Sequence, residues 1–254
     1  MTEHIITGRS NGVLGIRIDR TDKKNALTFA MYTALADALE AADRDAGVRA
    51  VTITGSGDSY TSGNDLQDFL KGLPEGESPA FRFIRVISEL QKPIVAGVNG
   101  LAVGVGVTML LHCDLVYAAA SATFQIPFVN LGLVTEAASS LLLPRLAGHQ
   151  RAAELLLLGE RFDAATAQAI GLVNALCPPE ALGALLAERA GALAAKPPAS
   201  LRLIKSLMKR PAAGLAERMA EEAGLFGTQL RSAEAREAMT AFMERRKPDF
   251  SRFV

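Results

Sequence analysis

Two segments of the chain repeat one order of events, and this limits the fold more than any other feature. Each has an apolar β-rich run, a glycine-rich turn and a helical start. The first reads Ile53-Thr54-Gly55-Ser56-Gly57-Asp58-Ser59-Tyr60-Thr61-Ser62-Gly63-Asn64-Asp65-Leu66. The second reads Lys92-Pro93-Ile94-Val95-Ala96-Gly97-Val98-Asn99-Gly100-Leu101-Ala102-Val103-Gly104-Val105-Gly106-Val107-Thr108. Residues 50–54 and 93–98 read as strands, and residues 78–90 between them as an amphipathic helix with Phe81, Ile84, Ile87 and Leu90 on one face. Strand, helix, strand alternation predicts an α/β fold with right-handed crossovers about a mostly parallel sheet. Glycines after strands serve ordinary β-to-α connections. Here they also set two groups of backbone N–H at helix starts, an arrangement able to bind a developing negative oxygen.

Around these segments the pattern is regular. Ser10-Asn11-Gly12 between two β-rich runs predicts an opening hairpin. Thr28 is placed to cap a helix whose Met31, Leu35, Ala38 and Leu39 recur at helical spacing to about Gly47. Beyond Pro178 the β signal fades, and residues 179–195, 199–209, 215–230 and 233–246 read as helices. This divides the chain into a core domain, residues 1–195, and a helical C-terminal module, residues 196–254. The module carries twelve basic and seven acidic residues, which suits a solvated face, a phosphate contact or a neighbouring subunit.

Several chemistries lose their usual signal. Lys plus Arg and Asp plus Glu both total 27, which argues against nucleic acid or an anionic membrane as the main partner. No apolar stretch is long enough to span a bilayer. The N-terminus shows no secretion signal and the C-terminus no peroxisomal address, so a cytoplasmic location is the expectation. Cys113 and Cys177 read as reduced thiols. His4, His112 and His149 lack ligand-pair spacing, so no metal site is expected. Gly8-Arg9-Ser10-Asn11-Gly12 matches the letters of a nucleophile elbow, but a strand follows where a helix is required, so its glycines belong to the hairpin. Met109 stands where a dinucleotide-binding loop needs its third glycine.

Together with Lys24-Asn25-Ala26-Leu27, Gly159-Glu160-Arg161-Phe162 and Ala169-Ile170-Gly171-Leu172-Val173, the two glycine segments make the chain resemble the enoyl-CoA hydratase/isomerase, or crotonase, superfamily over nearly its whole length. The resemblance implies a crotonase-like spiral of ββα units, a helical C-terminal oligomerisation module, a homotrimer or hexamer, and acyl-CoA thioester substrates. It further implies an oxyanion hole from the backbone N–H groups of Asn64 and Val105. Lys24, Ala26, Leu27, Ser62, Asp65 and Leu66 match stretches that line the CoA side in relatives, although Asp65 equally suits a helix cap and Lys24 a solvated charge. No separate cofactor is implied, since CoA is part of the substrate.

Side chains then narrow the reaction. Hydratases of this family activate water with two glutamates, and the matching positions here are Thr108 and Phe128, neither of which is a general base. An acid follows in Leu131-Gly132-Leu133-Val134-Thr135-Glu136, and the pattern is similar to the Δ3,Δ2-enoyl-CoA isomerase branch, whose single catalytic glutamate maps to Glu136. Outside that resemblance, Glu136 would be a stabilising acid in the first turn of a helix capped by Thr135. The expectation is an isomerase of fatty acid β-oxidation, with Phe128, Leu133 and Val134 forming an apolar pocket. The rivals are a hydratase with weak or substrate-restricted activity, and a relative that binds acyl-CoA or RNA without catalysis.

Overall fold

The computed structural model describes residues 3–65, 67–68, 76–209, 219, 224–226, 228–229 and 231–253. Strands β1 (Ile5–Ser10) and β2 (Val13–Ile18) pair antiparallel with Ser10 opposite Val13. Asn11 and Gly12 turn the chain at φ 49° and 75°, the left-handed pair that lets a two-residue hairpin follow the strand twist. The elbow-like sequence is therefore a hairpin. Helix α1 (Phe29–Arg44) begins where expected, with Thr28 accepting a hydrogen bond from the Met31 N–H at 3.3 Å. Its Met31, Leu35 and Leu39 are fully buried, each contributing about 2 kcal/mol of hydrophobic stabilisation.

From there the chain winds between two sheets. Strand β3 (Ala50–Gly55) enters the larger sheet and β4 (Ser59–Thr61) the smaller, followed by helix α2 (Pro79–Glu89). Strands β5 (Ile94–Val98) and β6 (Leu101–Val103) repeat the step before the short helix α3 (Val105–Thr108), and β7 (Leu115–Ala119) and β8 (Thr123–Gln125) repeat it again. After helices α4 (Ser139–Ala147) and α5 (His149–Ala153) come β9 (Arg161–Asp163), α6 (Ala164–Ala169) and β10 (Ala175–Cys177). Among the described residues the larger sheet has the order β1-β2-β3-β5-β7-β10 and the smaller β4-β6-β8-β9. All pairs from β2 to β10 in the larger sheet are parallel. This is the α/β spiral of ββα units. The central β5 is buried at every position, as a strand covered on both faces must be.

The face expected for α2 holds only in part: Ile87 and Leu90 are buried as expected. Ala80, Phe83, Val86 and Ile87 meet the core, while Phe81 is 53% exposed and Ile84 half-buried. Helical spacing admits both stripes, and the second is apolar because it borders a cavity described below.

The later helices are α7 (Leu182–Ala194), α8 (Pro198–Lys209) and α9 (Ala233–Met243); the helix expected over 215–230 lies largely outside the described residues. Helix α8 is tied to the larger sheet by Lys205, whose ammonium donates to Lys92 O and to Asp114 Oδ2, each at 2.6 Å. Asp114 Oδ2 also accepts the Ile94 N–H at 2.8 Å. Arg49, just before β3, donates to the carbonyls of Phe250 and Phe253 and so holds the C-terminal residues.

Because Lys205 is only 4% exposed, removing its charge leaves the partly buried Asp114 carboxylate without its cation. Lys205→Met is expected to destabilise the protein by about 3 kcal/mol, read as a lowered urea midpoint at constant m-value. An unchanged midpoint would mean that this pair does not anchor α8.

Candidate active site

Two loops meet backbone to backbone. Gly63 has φ +92°, and a Cβ there would lie 2.9 Å from Val103 O; a Cβ on Gly106 would lie 2.7 Å from Thr61 Cγ2. Only glycine permits both the left-handed turn and these approaches. The loop after β4 is also stitched to the chain before α1, where the Leu27 N–H donates to Gly63 O and the Asp65 N–H to Leu27 O, at 2.8 and 2.9 Å. Successive N–H groups along an extended segment point to opposite edges, so this parallel bridge turns the Asn64 N–H away from Leu27. Val105 opens α3, so its N–H has no acceptor within the helix.

Both residues line two adjoining cavities. The first, about 460 Å³, includes Arg20, Lys23, Asp65 and Gln67 in its lining. The second, about 510 Å³, is walled mainly by apolar groups, among them Phe81, Ile84, Phe128, Leu133 and Val134. Asn64, Val105, Phe128 and Leu133 belong to both. The exposed stripe of α2 thus forms a cavity wall, together with the apolar residues expected around Glu136.

Glu136 supplies the only acidic side chain among the described residues of the second cavity. It lies outside the first turn of α4, which starts at Ser139 with Ala138 at the cap position and no side-chain cap bond. Thr135 instead shares a hydrogen bond with the Ser139 hydroxyl, and Ser139 donates to Glu136 O through both its N–H and its Oγ. Ala137 and Ala138 both sit at φ 53°, an unfavourable conformation costing about 1–2 kcal/mol per residue. His112 Nε2 donates to Ala137 O at 2.9 Å and steadies this turn. Glu136 Oε1 accepts the Thr108 hydroxyl, while Oε2 is buried with no hydrogen-bond partner. Burial pushes the carboxyl above its usual range, and the Thr108 bond opposes the shift by favouring the charged form.

The residues expected on the CoA side are distributed unevenly. Ala26, Ser62 and Asp65 line the first cavity. Lys24 does not; it is exposed and paired with Asp58 at 2.5 Å. Leu27 is buried and acts through the bridge to Asn64, and Leu66 lies outside the described residues. Asp65 pairs with Arg20 at 2.7 Å and also accepts the Gln67 N–H, so it ties the loop as well as lining the cavity. Sequence reasoning passed over Arg20, Lys23 and Gln67. Lys24 and Asn25 at φ 50° and 58° decide that Lys23, and not its neighbour, borders the cavity; Asn25, a residue tolerant of this region, is the one local hint of that turn. It also passed over Tyr32, which reads as an ordinary core position of α1. Among the described residues no group of three His, Cys, Asp or Glu converges as a metal site.

Two N–H groups without an acceptor thus stand where a cavity bordered by charged residues meets a mainly apolar one that holds one buried carboxyl. The enoyl-CoA hydratase/isomerase family matches residues 8–252, and the chain is a member of that family. It is 39% identical over 213 residues to the enoyl-CoA delta isomerase 2 of Rattus norvegicus, a match covering 81% of this chain and 54%, about half, of that enzyme's length. It is 33% identical over 271 residues to the 1,2-epoxyphenylacetyl-CoA isomerase of Escherichia coli, covering 99% of both. A solved structure from Magnetospirillum magneticum AMB-1, provisionally described as an enoyl-CoA hydratase/carnithine racemase, superposes with TM-score 0.97 at 47% identity, over 99% of this chain and 100% of that one.

A carboxyl whose folded-state pKa lies above its unfolded value keeps its proton across the interval between them only in the folded protein. The stability this confers is full below the unfolded value, near 4.5, and is lost as pH rises through the folded value. Glu136→Gln removes that loss. Its stability relative to the parent protein is therefore expected to be greater at pH 8 than at pH 4, measured by thermal unfolding at both; equal differences at the two pH values would contradict the raised pKa.

Proposed function

We propose that the protein shifts the double bond of a 3-enoyl-CoA to the trans-2 position. The carrying observation is one buried carboxyl, Glu136, in a mainly apolar cavity beside the Asn64 and Val105 N–H groups. The thioester oxygen is taken to lie where the cavities meet, hydrogen-bonded to both N–H groups. Glu136 as carboxylate removes a proton from C2; the electron pair delocalises to the carbonyl oxygen, giving a dienolate whose charge the two donors hold. The protonated Glu136 then returns the proton at C4, which lies on the same face of the planar dienolate, leaving the double bond between C2 and C3.

Its raised pKa suits this role, bringing the basicity of Glu136 nearer the task than an exposed carboxylate's. Phe128 and Thr108 offer no second base, so among the described residues water in the cavity lacks the pair of acids that hydration of this kind uses. Arg20 and Lys23 at the first cavity suit the anionic part of CoA, whose binding energy can orient the acyl carbons.

The test is incubation with 3-enoyl- and 2-enoyl-CoA panels, with products resolved by chromatography and mass. Isomerisation is expected to exceed crotonyl-CoA hydration by at least about a hundredfold. Glu136→Gln is expected to abolish isomerisation while acyl-CoA affinity stays close to that of the parent protein. A hydrated product as the main outcome, or an active Glu136→Gln variant, overturns the assignment.

We further propose that the chain assembles as a homotrimer or hexamer. Leu141 and Leu146 of α4, and Ile204 and Met208 of α8, are between 44% and 70% exposed, and these apolar side chains are the ones such an assembly would cover. Light scattering at micromolar concentration is expected to give a mass of three or six chains, and a monomer mass would refute this.

A further inference from the structure

Resting on the oxyanion reading above, we propose that Tyr32 is a positioning residue for the reaction, fixing the Asn64 peptide through a hydrogen bond to its side chain. Tyr32 is fully buried in α1 and borders the second cavity. Its ring packs tilted against that of Phe83 on α2, with centroids 5.7 Å apart. The phenol hydroxyl donates to Asn64 Oδ1. Asn64 is thereby held twice: its neighbours are fixed by the bridge to Leu27, and its side chain by Tyr32.

A buried phenol in this position has no other role that the geometry supports. Its proton is committed to Asn64, so it is not an acid for the substrate. Burial, with the Glu136 carboxylate close by, pushes its ionisation well above the ordinary range, so it stays a donor when Glu136 is charged. Oxyanion donors act only within a few tenths of an ångström of the required position, and a peptide free to rock would lose the charge-stabilised state before it lost ground-state binding. The bond also gives the Asn64 side chain a reason to be an acceptor, although the group proposed to meet substrate there is a backbone N–H.

Tyr32→Phe keeps the ring and its packing and removes only the hydroxyl. For 3-enoyl-CoA its kcat is expected to fall about tenfold to a hundredfold with KM little changed. A second arm needs no turnover: acetoacetyl-CoA bound to the parent protein should show the long-wavelength absorbance of its enolate, formed by loss of the C2 proton, and Tyr32→Phe should need a higher pH to show it. If the hydroxyl acts through Asn64, Tyr32→Phe combined with Asn64→Ala will be no worse than Asn64→Ala alone. Retention of the parent kcat and enolate signal by Tyr32→Phe, or independent addition of the two effects, overturns the proposal. A parent protein that enolises acetoacetyl-CoA but isomerises no 3-enoyl-CoA would refute the isomerase reading alone, with Tyr32 still decided by the enolate titration.

Discussion

The site depends on the contact between the loop after β4 and the loop after β6. Gly63 faces Val103 O and Gly106 faces Thr61, at separations that no Cβ could share. Each loop ends a strand of the smaller sheet, where β4 and β6 are parallel neighbours, so the sheet register brings the loops level. The Leu27 bridge then fixes the outer loop from its other side. As a result two backbone N–H groups, from residues 41 positions apart in the chain, open onto the same space. Pre-set dipoles of this kind need no reorganisation when charge develops, which is why the position of a peptide can matter more than the identity of its side chain.

Glu136 is held by a different device. Its turn contains two consecutive alanines in the left-handed region, a conformation the local sequence does not favour. Hydrogen bonds compensate: Ser139 closes the turn locally on the Glu136 carbonyl, while from elsewhere in the chain His112 donates to the Ala137 carbonyl and Thr108 reaches the carboxyl itself. His112 lies beyond the end of α3 and Thr108 within it, so the helix that offers the Val105 N–H also supports the acid. The donor and the carboxyl therefore share one rigid support.

Polarity changes across the site. Charged residues border the first cavity and apolar ones most of the second, with Asn64, Val105, Phe128 and Leu133 at the boundary. For the proposed substrate this matches the molecule's own division into an anionic carrier, a thioester and a hydrocarbon chain. The same apolar walls raise the pKa of Glu136, so one feature of the cavity serves both recognition and basicity.

Much of this could be read from residue order alone. The hairpin at Asn11-Gly12, the Thr28 cap and the alternation of strands and helices follow from local rules, because each depends on neighbours in sequence. The glycine segments likewise announced two N–H-bearing turns, and the absence of acids at Thr108 and Phe128 limited the chemistry. Other features required the folded chain. The stripe of α2 containing Phe81 and Ile84 has the spacing of a core face, and only the open space beside it makes it a cavity wall. Lys23 and Lys24 are adjacent cations separated in role by a left-handed turn. Tyr32, Asn64, Thr108 and Glu136 lie far apart in sequence, and their hydrogen bonds have no local signal. Periodicity reports what each element does with its own neighbours; which side chains meet across elements is decided by packing, where the geometry of every other element enters.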